Sequence, residues 1–126
     1  MATTDAGAVA IANLFAGSGA INAFNASNAR IGVGDGTTAF AATQTDNIGT
    51  NKFRKLVNTA PVVTANSIDF TSTFTPTEGN FAWNEMALFN SSSGSYMATR
   101  RTVTSFGTKT PSDTWIITLT VVVTPA

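Results

Sequence analysis

Between Ile68 and Phe74 the chain alternates strictly, with Ile68, Phe70, Ser72 and Phe74 on one side and Asp69, Thr71 and Thr73 on the other. A period of two is the mark of a strand with one buried face. The same rhythm returns at the end of the chain. There Trp115, Ile117, Leu119, Val121 and Val123 share one face, and Thr118, Thr120 and Thr124 look the other way. Residues 81–90 read as a third strand, with Trp83, Glu85, Ala87 and Phe89 on one face and Met86 and Leu88 on the other. Apolar groups on both faces predict a strand that is central or covered on both sides. The stretch Ser91-Ser-Ser-Gly94 predicts a hairpin turn that returns through residues 96–103.

The first half is less regular. Residues 30–33 predict a short strand running into the turn Gly34-Asp-Gly-Thr37, residues 53–57 another, and Val62-Val63-Thr64 forms a β-branched patch after Pro61. Pro76 to Asn80 and Gly107 to Asp113 supply further turns. Helical spacing occurs once, over residues 4–15, where Ala8, Ile11, Ala12 and Phe15 recur on one stripe. Thr4 or Asp5 can cap its start and Gly17 can take the left-handed stop. Gly7 weakens this helix by up to about 1 kcal/mol relative to Ala, so the helix needs a surface to lie on. From residue 18 to 29 the chain is Gly, Asn, Ser and Ala around Ile21 and Phe24.

These elements predict a mainly β fold, an antiparallel β-sandwich or barrel-like domain with a short N-terminal helix and arm. The composition break near Arg30 divides the chain into a helix and arm over residues 1–29 and a β-domain over 30–126. A length of 126 residues fits one domain.

Composition narrows the chemistry. Charged residues make up 11% of the chain, less than half the usual share, and seven basic side chains balance seven acidic ones. Nine Phe, two Trp and many β-branched residues separate this low charge from disorder. Without a basic surplus, nucleic acid is not an expected partner. Weak self-repulsion suits a protein that associates or docks. No run approaches the ~20 apolar residues of a membrane-spanning helix, and no signal peptide is read at the N-terminus.

There is no Cys and no His. Disulfides, the common nucleophile–base pairs and the usual transition-metal ligands are therefore absent, and no cofactor or metal is expected. A Ser–Lys pair with Lys52, Lys55 or Lys109 is formally available, but no spacing selects one. The segment Ile31-Gly-Val-Gly-Asp-Gly-Thr37 lets backbone N–H groups approach an anion. It lacks the Lys of a phosphate loop and the third glycine spacing of a dinucleotide loop, so a tight turn at a strand end is favoured. Asp35 in that turn binds Ca²⁺ only if other elements add oxygens.

Glu85 is a carboxylate inside an apolar strand. Paired with Asp69 it could serve acid–base chemistry, as in a glycosidase. A structural ion pair is favoured instead: if Asn90 opposes Ser95 across the hairpin, Glu85 falls opposite Arg100. Two small basic patches remain, Lys52/Arg54/Lys55 around Phe53 and Arg100-Arg101, and both read as solvated or interfacial charge. The chain is not expected to be an enzyme.

Three segments carry a family resemblance. Ile31-Gly-Val-Gly-Asp-Gly-Thr-Thr38, the acidic Thr-rich stretch Ala41-Ala-Thr-Gln-Thr-Asp46 and Glu85-Met-Ala-Leu-Phe89 follow one another before the Ser/Gly hairpin and the closing Ile/Leu/Val/Thr strand. Over residues 30–124 this order resembles bacteriophage virion proteins with a tail-collar-fibre-like domain. Ala87 departs from the glycine usual there, and Arg100-Arg101 has no counterpart motif.

The resemblance implies a virion structural protein, and a short chain of this kind is similar to capsid decoration (cement) proteins. Such a protein would bind the major capsid protein on the outside of the head, associate with itself as a homotrimer, and be made in the bacterial host cytoplasm. Ile11, Leu14, Phe15, Ile21 and Phe24 are then the candidate lattice contacts of the arm. A tail, collar or fibre-anchor component is the alternative. A small carbohydrate-binding module stacking sugars on Trp83 or Trp115 is the second alternative.

Overall fold

Seven strands and one helix follow one another in the computed structural model, which describes residues 2–94, 96–104 and 106–124. They are α1 (Asp5–Ala16), β1 (Arg30–Gly34), β2 (Lys52–Leu56), β3 (Val62–Thr64), β4 (Ser67–Phe74), β5 (Glu85–Phe89), β6 (Met97–Thr102) and β7 (Trp115–Val122). A four-stranded sheet has the order β2-β1-β5-β6 and a three-stranded sheet the order β3-β4-β7. All pairings are antiparallel. The fold is an antiparallel sandwich, and its sheets do not close into a barrel.

The core lies where the inner rows meet. Ile31, Val33, Met86 and Leu88 from the larger sheet pack with Phe70, Phe74 and Leu119 from the smaller one, around the buried Trp83. The alternation read in β4 and β7 is realised: Phe70, Ser72 and Phe74 are buried, as is Leu119, while Thr118 and Thr120 are exposed. β5 is buried at every position, as its two apolar faces require. Trp83 does not share a face with Glu85, Ala87 and Phe89, because residues 81–84 are not strand. Its indole turns into the core, donates to the Gly79 carbonyl at 2.8 Å, and meets Phe74 and Trp115 edge-on, each with ring centroids 4.8 Å away. Trp115 is half-buried in the same cluster.

The β5–β6 hairpin has a different register from the simple count. Glu85 pairs with Thr102 and Ala87 with Arg100, with an irregularity between Leu88 and Phe89. The two-residue difference arises because the turn is longer than a tight hairpin and the ladder bulges beside it. Ser95, the proposed partner of Asn90, lies outside the described residues.

The helix starts and stops where its caps indicate. Thr4 accepts from the Gly7 amide at 2.9 Å, and Gly17 adopts φ 64°. Its packed face, however, carries Gly7 and Ala10 and not the Ala8/Ile11/Ala12/Phe15 stripe. The reason is distance: a Cβ on Gly7 would sit 2.5 Å from the Ala98 carbonyl oxygen, so only the smallest residues fit between helix and sheet. Thr3 bridges Thr99, and Thr4 donates from its amide to Ala98 O at 3.0 Å and from its hydroxyl to Met97 O. The segment read as an arm thus lies along β6 of its own chain. Phe24 packs on the core, and Asn90 Nδ2 ties Asn22 O at 2.8 Å.

Candidate functional site

The densest polar cluster sits on the outer face of the larger sheet. A strap of residues 35–51 crosses this face, and the Glu85 side chain rises into it from β5, buried. Both carboxylate oxygens are saturated. Oε1 accepts from the amides of Gly36 at 3.2 Å and Gly49 at 2.7 Å, while Oε2 accepts from the Ile48 amide at 2.9 Å and Arg100 Nε at 2.7 Å. Four donors match the lone-pair capacity of one carboxylate. Burial pushes the carboxyl up, but the Ile48 and Gly49 amides and the Arg100 guanidinium outweigh it and hold Glu85 below the ordinary carboxylate range.

The expected Glu85–Arg100 ion pair therefore forms, although by a diagonal route. Arg100 stands opposite Ala87, one step along the same face, and reaches across to Glu85. Both side chains are fully buried. Arg100 Nη1 also donates to Gln44 at 3.1 Å, while Nη2 and the Asn47 Nδ2 are buried without a protein acceptor.

The glycine-rich turn gains its meaning here. Its amides do cradle an anion, and the anion is the protein's own carboxylate. A Cβ on Gly34 would land on Glu85 Oε1, and one on Gly36 would lie 2.8 Å from it. The sequence signal for an anion-binding loop was present in Gly34 and Gly36. The donors Ile48 and Gly49, on the far end of the strap, had no local signal.

Other candidates are equally occupied. Asp35 accepts from the Asn51 amide at 3.1 Å and Nδ2 at 2.8 Å. Lys52 and Arg54 both bridge Asp46, at 2.8 and 3.2 Å, and the Arg54 guanidinium stacks 3.5 Å over the Phe89 ring. Lys55 pairs with Glu78 at 2.8 Å. Lys109 is buried, donating to Thr75 O at 2.7 Å and Asn80 Oδ1 at 2.9 Å. The basic patch Lys52/Arg54/Lys55 is thus three ion-paired side chains, and Arg100-Arg101 is one buried and one exposed group.

Asp69 stands on the outer face of the smaller sheet, accepting from Thr120 at 2.6 Å. The sandwich core separates it from Glu85, so the two acids do not form a facing pair. No cluster of three or more metal-ligating acids occurs among the described residues.

The remaining surface is apolar in places. On α1, Val9 and Ile11 are half-exposed, Phe15 is 95% exposed and Leu14 is partly covered, as is Ile21 beyond the helix. A cleft of about 480 Å³ separates β6 from β7, lined by Met86, Thr102, Val103, Phe106, Ile117 and Leu119 among others. Beyond it, Ile116 is 67% and Val122 47% exposed. Comparison with protein-family models, curated proteins and solved structures gives no match to this chain.

Proposed function

We propose that this protein is a non-enzymatic structural component of a bacteriophage virion, attached to the outside of the head as a capsid decoration protein. The observation that carries the reading is the almost fully exposed Phe15 near the end of α1. Gly7 and Ala10 bind the helix to β6; Ile11 and Phe15, four residues apart, share one exposed flank of the helix and Val9 is exposed on the other flank. A phenyl ring at 95% exposure is an anchor without a pocket, the form that a docking residue takes before its partner arrives.

Two further features support the reading. The one buried carboxylate among the described residues is saturated by structural donors, and the ion pairs of the strap absorb charge that would otherwise compete with docking. The resemblance of the motif order to tail-collar-fibre-like virion domains points the same way. In this role the protein works by adding buried area across the shell, with the major capsid protein as its partner.

The test is reconstitution on shells. Wild-type protein should bind purified phage heads at symmetry-related sites seen by electron microscopy, and Phe15→Asp should abolish that binding while keeping its folded circular-dichroism spectrum. Unchanged attachment of Phe15→Asp, or density confined to a tail or neck, would overturn the proposal.

A further inference from the structure

We propose that the free edge of β7 pairs antiparallel with the β7 edge of a second copy of this chain, joining two three-stranded sheets into one. The argument starts from which backbone groups are unpaired. Val123 donates to Asn66 O at 2.8 Å, so odd-numbered residues of β7 face β4. The Thr71 carbonyl, which stands opposite Thr118, points away from β7 and accepts from the Asn58 amide at 2.8 Å. The N–H and C=O groups of Ile116, Thr118, Thr120 and Val122 therefore point to the open edge.

The other sheet edges are protected, and this one is not. β6 is covered at Thr99 by Thr3 and by α1, β3 is three residues long, and β2 carries Lys52, Arg54 and Lys55. Short, charged or covered edges are the usual defences against strand addition. β7 has eight residues without a charge, a Pro or a Gly, and the 480 Å³ cleft keeps β6 from reaching it.

The edge is also self-complementary, which identifies the occupant. Place a two-fold axis at Leu119 and run the strands antiparallel. On the outer face Ile116 then meets Val122 of the second copy and Thr118 meets Thr120. On the inner face Trp115 meets Val123, Ile117 meets Val121, and Leu119 meets itself. Every pair is apolar or Thr–Thr, the combinations that stabilise neighbouring strands. The outward-pointing residues pair with one another in this register, giving about eight cross-interface N–H···O bonds. An isologous two-fold of this kind needs no second surface. With net charge zero the two copies do not repel at long range.

The test uses opposite charges at one position. Across the axis, Thr118 of each copy lies diagonal to Thr118 of the other, within reach of long side chains. Wild-type protein should sediment as a dimer. Thr118→Lys and Thr118→Glu should each weaken dimerisation by about tenfold or more, and an equimolar mixture of the two should restore it. That mixing step separates a repelled interface from a misfolded chain. Hydrogen exchange adds the register: the amides of residues 116, 118, 120 and 122 should be protected in the wild type and exchange in either single variant. A monomeric or trimeric wild type, variants that remain dimeric, or a mixture that stays monomeric would overturn the proposal. None of these outcomes depends on whether the protein attaches to phage heads.

Discussion

The two sheets of the sandwich treat their outer faces in opposite ways. The larger sheet buries Glu85, Arg100, Phe89 and Asn90 beneath a strap and a helix, and β5 at its centre has no exposed position. The smaller sheet leaves its outer face to solvent and furnishes it with Thr118, Thr120, Ile116 and Val122 from β7 and a single acid, Asp69. One face spends its charges internally and becomes specific; the other, almost uncharged, stays available. The difference teaches where sequence changes should matter to folding and where they should matter only to association.

The largest effect is expected at Glu85. Glu85→Ala strands a buried guanidinium and three backbone amides at once, and should cost about 3–5 kcal/mol in chemical denaturation. Arg100→Ala should cost less, because the carboxylate keeps its three amide donors. The double variant should lose less than the sum of the singles. Equal losses from the two singles, or additivity, would break the picture of a carboxylate shared between strap and strand.

Glycine positions sharpen the contrast next. Gly34→Ala drives a methyl onto Glu85 Oε1 and should destabilise by about 1–3 kcal/mol. Gly7→Ala carries a sign test. In an unpacked helix it would gain up to about 1 kcal/mol, yet here the methyl meets the Ala98 backbone, so the melting temperature should fall. A rise would mean that α1 is not seated on β6.

Acid should act on the charged side of the molecule. Burial pushes the Glu78 carboxyl up, but Lys55 and the Thr75 amide and hydroxyl outweigh it and bring it to about 2. A carboxyl lowered in the folded state contributes stability that is complete above its unfolded value and is lost as pH falls through its folded value. Stability should therefore decline as pH drops from 4.5 toward about 2, with Glu85 contributing in the same direction. Glu78→Gln should flatten that decline, measured by urea midpoints against pH. The smallest effect belongs to the exposed end of the helix: Phe15→Ser should change stability by no more than about 0.5 kcal/mol.

Much of this architecture was legible in the sequence where one rule acts alone. Alternation located β4 and β7, and the caps Thr4 and Gly17 fixed the helix ends. Legibility failed where two elements meet. The helix was assigned its larger apolar residues as the packed face, but close approach to β6 favours Gly7 and Ala10, and no helix-only pattern reveals the neighbour's distance. The hairpin register was two residues off because a bulge leaves no compositional mark, yet Arg100 was long enough to reach Glu85 regardless. Trp83 broke its strand's alternation because residues 81–84 leave the ladder. The glycine loop was readable as an anion cradle, while the identity of the anion depended on a residue 49 positions away from Gly36.

That separation bears on the order of events in folding. The strap can lock only after β5 has entered the sheet between β1 and β6, since its receptor is a β5 side chain. Closing a loop of this length costs chain entropy before any hydrogen bond returns it. The carboxylate is thus expected to act as a late latch, outside the barrier to folding and inside the barrier to unfolding. Stopped-flow measurements on Glu85→Ala should show a folding rate close to wild type and an unfolding rate that carries nearly all of the lost stability. Such a latch would set how long the fold persists more than how fast it forms.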